Sequence, residues 1–148
     1  MATAQKEAPI ALRLTQVFQA PREKVFRAWT DPEALKNWFA PTDKYVTRIP
    51  RLDVRVGGAY RIEMEVEGQA HIVTGTYREV SPPQRLVFTW KWETEPKHGD
   101  TLVTIEFLDR GGKTEVILTH ERFPSETARD EHNKGWAGCL DRLGEFVS

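Results

Sequence analysis

The 148-residue sequence predicts an α+β domain in which a strongly twisted antiparallel sheet curls around one long C-terminal helix. Three observations carry that expectation. At about 100° per residue, Trp136, Cys139, Leu140, Leu143 and Val147 fall on one face, so residues 125–148 read as a single amphipathic helix. Between 45 and 121 the apolar residues alternate and hairpin signals recur, as in a meander of about six strands. Finally, 39% hydrophobic and 29% charged residues in a chain of this length suit one soluble domain with its own core.

Taken in order, residues 1–9 read as a disordered tail and 10–148 as one ligand-binding-like domain. Over 10–18, Ile10, Leu12 and Leu14 alternate with Ala11, Arg13 and Thr15, which makes a first strand. Pro21 is suited to the first position of a helix whose apolar side holds Val25, Phe26 and Trp29. Asp31 caps a second short helix at Pro32, with Leu35, Trp38 and Phe39 buried. Ala40-Pro41-Thr42-Asp43 breaks this helical corner.

Segment 45–56 is a strand in which Pro50 suits an edge or a bulge but not a central ladder. After Gly57-Gly58, Tyr60, Ile62, Met64 and Val66 alternate with Arg61, Glu63, Glu65 and Glu67, so one face is covered and the other wet. Glu67-Gly68-Gln69 turns the chain into a strand over 71–80, and Ser81-Pro82-Pro83 makes a stiff turn. Leu86, Phe88, Trp90 and Trp92 then share the most aromatic face of the chain. Beyond a polar loop over 93–100, Val103, Ile105 and Phe107 alternate with Thr104 and Glu106. Gly111-Gly112 is a two-residue hairpin signal, and the last strand, 113–121, places Val116, Leu118 and His120 on one face.

The same residues exclude several functions. Net charge is −1 and the Lys and Arg residues are spread without blocks, which argues against nucleic acid. A single cysteine, Cys139, permits no internal disulfide and reads as a buried, inert thiol suited to a reducing cytoplasm. No stretch approaches the roughly 20 apolar residues of a membrane span, and the N-terminus lacks the plan of a secretory signal. There is no Gly-x-Ser-x-Gly elbow, phosphate-binding loop or dinucleotide fingerprint. The histidines His71, His98, His120 and His132 show no metal-ligand spacing. Neither a cofactor nor a metal is expected, and no residue is assigned a catalytic role.

The order of motifs is similar to that of the helix-grip superfamily of lipid-transfer, pollen-allergen and polyketide-cyclase domains (START-like, SRPBCC). Within it the chain resembles bacterial proteins related to the C-terminal domain of the activator of the heat-shock-protein-90 ATPase. The carrying segments are Ala28-Trp29-Thr30-Asp31-Pro32, Trp38-Phe39-Ala40-Pro41, Arg55-Val56-Gly57-Gly58 with Tyr60, and Gly75-Thr76-Tyr77. They continue through Val80-Ser81-Pro82-Pro83 to Arg85-Leu86-Val87-Phe88-Thr89-Trp90, Thr119-His120 and Gly135-Trp136. The resemblance implies a hydrophobic cavity between sheet and terminal helix, lipid or other ligand binding, and a link to the stress response through a chaperone partner. Fold-level analogy alone leaves the chemistry open.

On the helix stripe, Arg129 and His132 precede the dry half by one or two turns, as at a pocket with a wet mouth. Burial without partners would cost several kcal/mol, so they meet either nearby glutamates or a carboxylate or carbonyl of a ligand. His120 is inward near the same end, as a ligand contact or as a core histidine satisfied by a carbonyl. Trp90 and Trp92 either stack on a flat ligand or fill the core. Trp38, Tyr60, Met64 and Phe88 are core residues with pocket lining as a second role, and Trp136 joins them from the helix. Gly135 and Gly144 flank the stripe, where close backbone approach or room for a ligand accounts for them, whereas Gly138 lies on the far side.

The leading function is therefore binding or carriage of a small hydrophobic or amphipathic molecule. The alternatives are a protein-interaction module of the chaperone-activator kind and a cyclase- or hydrolase-type enzyme using the same cavity. A homodimer through an edge strand is compatible with the pattern.

Overall fold

The computed structural model describes residues 10–148, and the tail expected over 1–9 lies outside the described residues. Seven antiparallel strands form one sheet in the order β1-β7-β6-β5-β4-β3-β2. The strands are β1 (Ala11–Phe18), β2 (Val46–Leu52), β3 (Ala59–Val66), β4 (Gln69–Ser81), β5 (Arg85–Trp92), β6 (Asp100–Asp109) and β7 (Thr114–Glu121). Helices α1 (Arg22–Thr30) and α2 (Pro32–Trp38) fill the corner after β1, and α3 (Glu126–Val147) ends the chain. This is the helix-grip arrangement.

Local chemistry sets the boundaries. Pro21 stands one residue earlier than its sequence pattern suggests, as the cap of α1, where its carbonyl accepts from the Val25 N–H at 3.1 Å. Asp31 caps α2 as expected, its Oδ1 accepting from the Glu33 N–H at 3.0 Å. Ser125 caps α3, its Oγ accepting from the Ala128 N–H at 3.1 Å. Pro50 lies on β2, the sheet's edge, where the register with β3 shifts between Arg48 and Arg51. Glu67 and Gly68 adopt φ of 52° and 76°, the left-handed pair that a tight two-residue hairpin needs.

That hairpin fixes the register Met64↔His71, and hence which residues of β4 face inward. The inner face carries Ile62 and Met64 from β3, Val73 and Tyr77 from β4, and Leu86, Phe88 and Trp90 from β5, all buried. Ile105 and Phe107 of β6 and Val116 and Leu118 of β7 complete it with no exposure. Against this face α3 buries Ala128, His132, Trp136, Cys139, Leu140, Leu143 and Val147.

The outer face is a mixed ionic surface. Arg61 bonds Glu93 at 2.8 Å and Glu63 at 3.1 Å, and Arg85 bridges Glu79 and Glu106. Among the described residues no helix is long and apolar enough to cross a membrane.

Candidate functional site

The helix does not lie evenly on the sheet. Two glycines permit close approach, one to the sheet and one to the segment after α2: at Gly144 a Cβ would touch the Phe18 ring at 3.4 Å, and at Gly138 it would overlap the Pro41 carbonyl. Gly138 faces away from the sheet as its helical position requires, but the segment after α2 covers that side. At Gly135 a Cβ would meet nothing within 4 Å. The helix is thus closely approached at Gly138 and Gly144, while a space opens beside Gly135.

The gap is a pocket of ≈ 240 Å³. Phe39, Pro41 and Tyr45 form one wall, and Met64, His71, Trp90 and Trp92 form the sheet side. His132, Gly135, Trp136 and Cys139 line it from α3, with Glu95, His98 and Glu131 at the rim. Its aromatic walls are tightly joined: the Trp90 ring lies 5.0 Å from Trp136 and 5.5 Å from Trp92, the latter nearly perpendicular at 87°. Deeper in, the interior is filled, leaving only ≈ 20 Å³ between α1, α2 and the sheet.

Two buried histidines, His132 in the lining and His120 behind Trp136, have all their ring nitrogens engaged. His120 Nδ1 accepts the Trp136 indole N–H at 3.0 Å, so its Nε2 carries the proton and donates to Thr101 Oγ1 at 2.7 Å. Thr101 in turn donates to the Trp90 carbonyl at 3.0 Å. His132 is the reverse tautomer. Its Nε2 accepts the Trp92 indole N–H at 2.8 Å and its Nδ1 donates to the Ala128 carbonyl at 2.7 Å. A second proton on either ring would face an indole N–H. Burial lowers both pKa values from the ordinary histidine range, and the neighbouring His132 lowers that of His120 further.

Of the nine residues singled out from sequence, Met64, Trp90, His132 and Trp136 line the pocket. His120 stands directly behind it through Trp136. Tyr60 and Phe88 border only the small inner void, and the Tyr60 hydroxyl donates to the Thr89 carbonyl. Trp38 is core, its indole N–H donating to the Ala28 carbonyl at 3.0 Å. Arg129 departs from expectation. The inward row is Ala128, His132, Trp136, and Arg129 falls on its flank, where its Nε bonds Asp130 Oδ1 at 3.0 Å with a third of the side chain exposed. Burying a guanidinium would be costly, and a surface ion pair avoids it.

His71, Tyr45, Trp92, Glu95, His98 and Glu131 enter the site beyond that set. His71 was reachable, since the two-residue turn at Glu67-Gly68 places it opposite Met64. Trp92 shares a strand face with Trp90. Glu95 and His98 lie in and beside a short 3-10 turn, Pro96–His98, that no periodicity marks. Among the described residues no three His, Cys, Asp or Glu side chains converge as a metal site requires. Burial pushes the Cys139 thiol up to about 12.

A curved sheet gripping a terminal helix, with a partly open space between them, defines a helix-grip domain of the SRPBCC type. The chain belongs to the family described as Activator of Hsp90 ATPase homolog 1-like protein, whose model matches residues 19–148. It is similar to the human protein named activator of 90 kDa heat shock protein ATPase homolog 1, at 22% identity over 126 residues. That match covers 84% of this chain and 33% of the human protein, so the chain spans about a third of the length of the curated relatives it matches. Among solved structures, a protein from Chromobacterium violaceum is 32% identical, with a TM-score of 0.85 and coverage of 93% of this chain and 96% of that one. An AHSA1 protein from Silicibacter pomeroyi is 26% identical, with a TM-score of 0.79 and coverage of 92% and 96%.

Proposed function

We propose that this protein binds or carries a small hydrophobic or amphipathic molecule in the pocket at the first half of α3. The observation that carries the reading is the contrast between ≈ 240 Å³ of open space at the mouth and ≈ 20 Å³ in the depth of the same interior. Packing that closes between α1, α2 and the sheet leaves this region open, and Gly135 supplies part of the opening. The volume lies just below the ~300–1,000 Å³ range of drug-sized sites, so the guest is small. His120 and His132 have every ring nitrogen engaged, so neither offers a free base to a bound molecule.

The test is a thermal-shift and tryptophan-fluorescence screen of small aromatic and aliphatic amphiphiles, repeated on Gly135→Phe, which fills the space. A bound guest at about 100 times its Kd adds about 2.7 kcal/mol of stability. Responses in the parent protein that vanish in Gly135→Phe are expected. Responses that persist in the filled variant, or no response to any compound, would sink the reading.

A second reading, an interaction module acting on a chaperone ATPase, draws on the family match and on the name of the human relative. Its surface support is thin: the exposed large hydrophobics Val17, Val46, Val56 and Phe146 stand on four separate segments. An ATPase assay with a bacterial chaperone homologue tests it, and stimulation abolished by charge reversal on the outer sheet face would favour it.

A further inference from the structure

Resting on the pocket reading above, we infer that the guest carries a cationic nitrogen, an ammonium on a small apolar or aromatic body, held by the acidic rim and aromatic walls.

Apart from the imidazoles of His71 and His98, the ionisable groups at the rim are carboxylates. Glu95 and Glu131 stand at the rim, 4.0 and 3.9 Å from Nε2 of His98, and no Lys or Arg is among the lining residues. Glu95 Oε2 also lies 3.1 Å from His71 Nδ1. The one cation that the sequence places here, Arg129, is paired with Asp130 instead. His132 is kept neutral by burial and by the Trp92 indole N–H that its Nε2 accepts, so it adds no positive charge. The lining therefore carries two carboxylates and no Lys or Arg, with the imidazoles of His71 and His98 beside them.

The walls match the same ligand. Trp90, Trp92, Trp136, Phe39 and Tyr45 surround the space with indole and phenyl rings, whose faces attract a desolvated cation and repel an anion. A ligand carboxylate would meet two like charges and π faces, against which the lining sets only uncharged N–H donors such as the unpaired Trp90 indole N–H. An ammonium meets both favourably, its apolar body seated against Met64 and the rings. The pocket thus discriminates by charge as well as by size.

Three matched probes test this at pH 8 with the full chain: 4-phenylbutylammonium, 4-phenylbutan-1-ol and 4-phenylbutanoate, titrated by tryptophan fluorescence and checked by thermal shift. The ammonium is expected to bind tightest, exceeding the carboxylate by roughly tenfold, because the rim carboxylates are partly solvated and act together with the rings. In the double variant Glu95→Gln, Glu131→Gln the preference narrows to about threefold or less. Equal or tighter binding of the carboxylate overturns the inference while leaving the pocket reading standing. A preference unchanged in the double variant overturns it too. Binding of none of the three overturns the pocket reading and this inference together.

Discussion

Trp136 on α3 donates its indole N–H to Nδ1 of His120 on β7 at 3.0 Å, inside a region from which water is excluded. Trp92 makes the equivalent bond to His132 at 2.8 Å, in the opposite tautomeric sense. The two bonds run in opposite directions across the interface: helix to sheet in the first case, sheet to helix in the second. Together they orient the rings that back the pocket and hold both imidazoles neutral.

Stability should fall on mild acidification. The folded pKa values of His120 and His132 lie below the ordinary value, mainly through burial, whereas the unfolded chain titrates near ~6.5. Below that pH the unfolded state binds more protons, so the stabilisation is complete above it and is lost as pH drops further. Each histidine contributes a slope of up to about 1.4 kcal/mol per pH unit. Urea midpoints measured between pH 7.5 and 5 check this, with His132→Gln expected to show a shallower fall. An identical fall in the variant would refute the assignment for that ring.

The glycines of α3 should respond oppositely to alanine. Gly138→Ala forces a Cβ into the Pro41 carbonyl and should destabilise by about 1–3 kcal/mol. Gly135→Ala meets open space and should gain up to about 1 kcal/mol in helix propensity while trimming the pocket. Denaturant midpoints of the two variants decide; a shift of the same sign for both would contradict the clearances described.

Arg129→Ala should be nearly silent. Its partner Asp130 is mostly exposed, and pairs of this kind contribute about 0–1 kcal/mol. Thermal unfolding should move little, and binding of 4-phenylbutylammonium should keep the parent Kd within about twofold. A substantial loss of affinity would return Arg129 to the site.

Cys139 should be unreactive in the folded protein. With its thiol raised to about 12 by burial, almost no thiolate exists at pH 8. A disulfide exchange reagent followed by absorbance should report modification only at the rate of unfolding, and rapidly in denaturant. Fast reaction under native conditions would show that the pocket admits the reagent to the sulfur.

Most of the architecture was legible because the sheet has a period of two and its turns carry Gly-Gly, Glu-Gly and Pro-Pro signals that set register. The site was legible where it rides on that period. Trp90, Met64 and His120 follow from strand alternation, and Trp136 and His132 from the helix. Arg129 shows the limit: a wheel places it inward, but its long charged side chain stays a third exposed and turns to Asp130. Gly138 fails for the converse reason, since its helix says nothing of the Pro41 segment lying across the outer side. Tyr60 and Phe88 differ from Trp90 only in depth along the sheet, which alternation does not encode. Glu95 and His98 belong to a connection without any repeat, and only coordinates bring them to the mouth.

Phe39 and Trp90, with ring centres 6.1 Å apart, border both the open space and the residual void behind it. These two rings act as a partition between an outer and an inner chamber. If the pocket holds a guest, one longer than the outer space must displace one of these two rings to reach the inner void, so they set the length that fits.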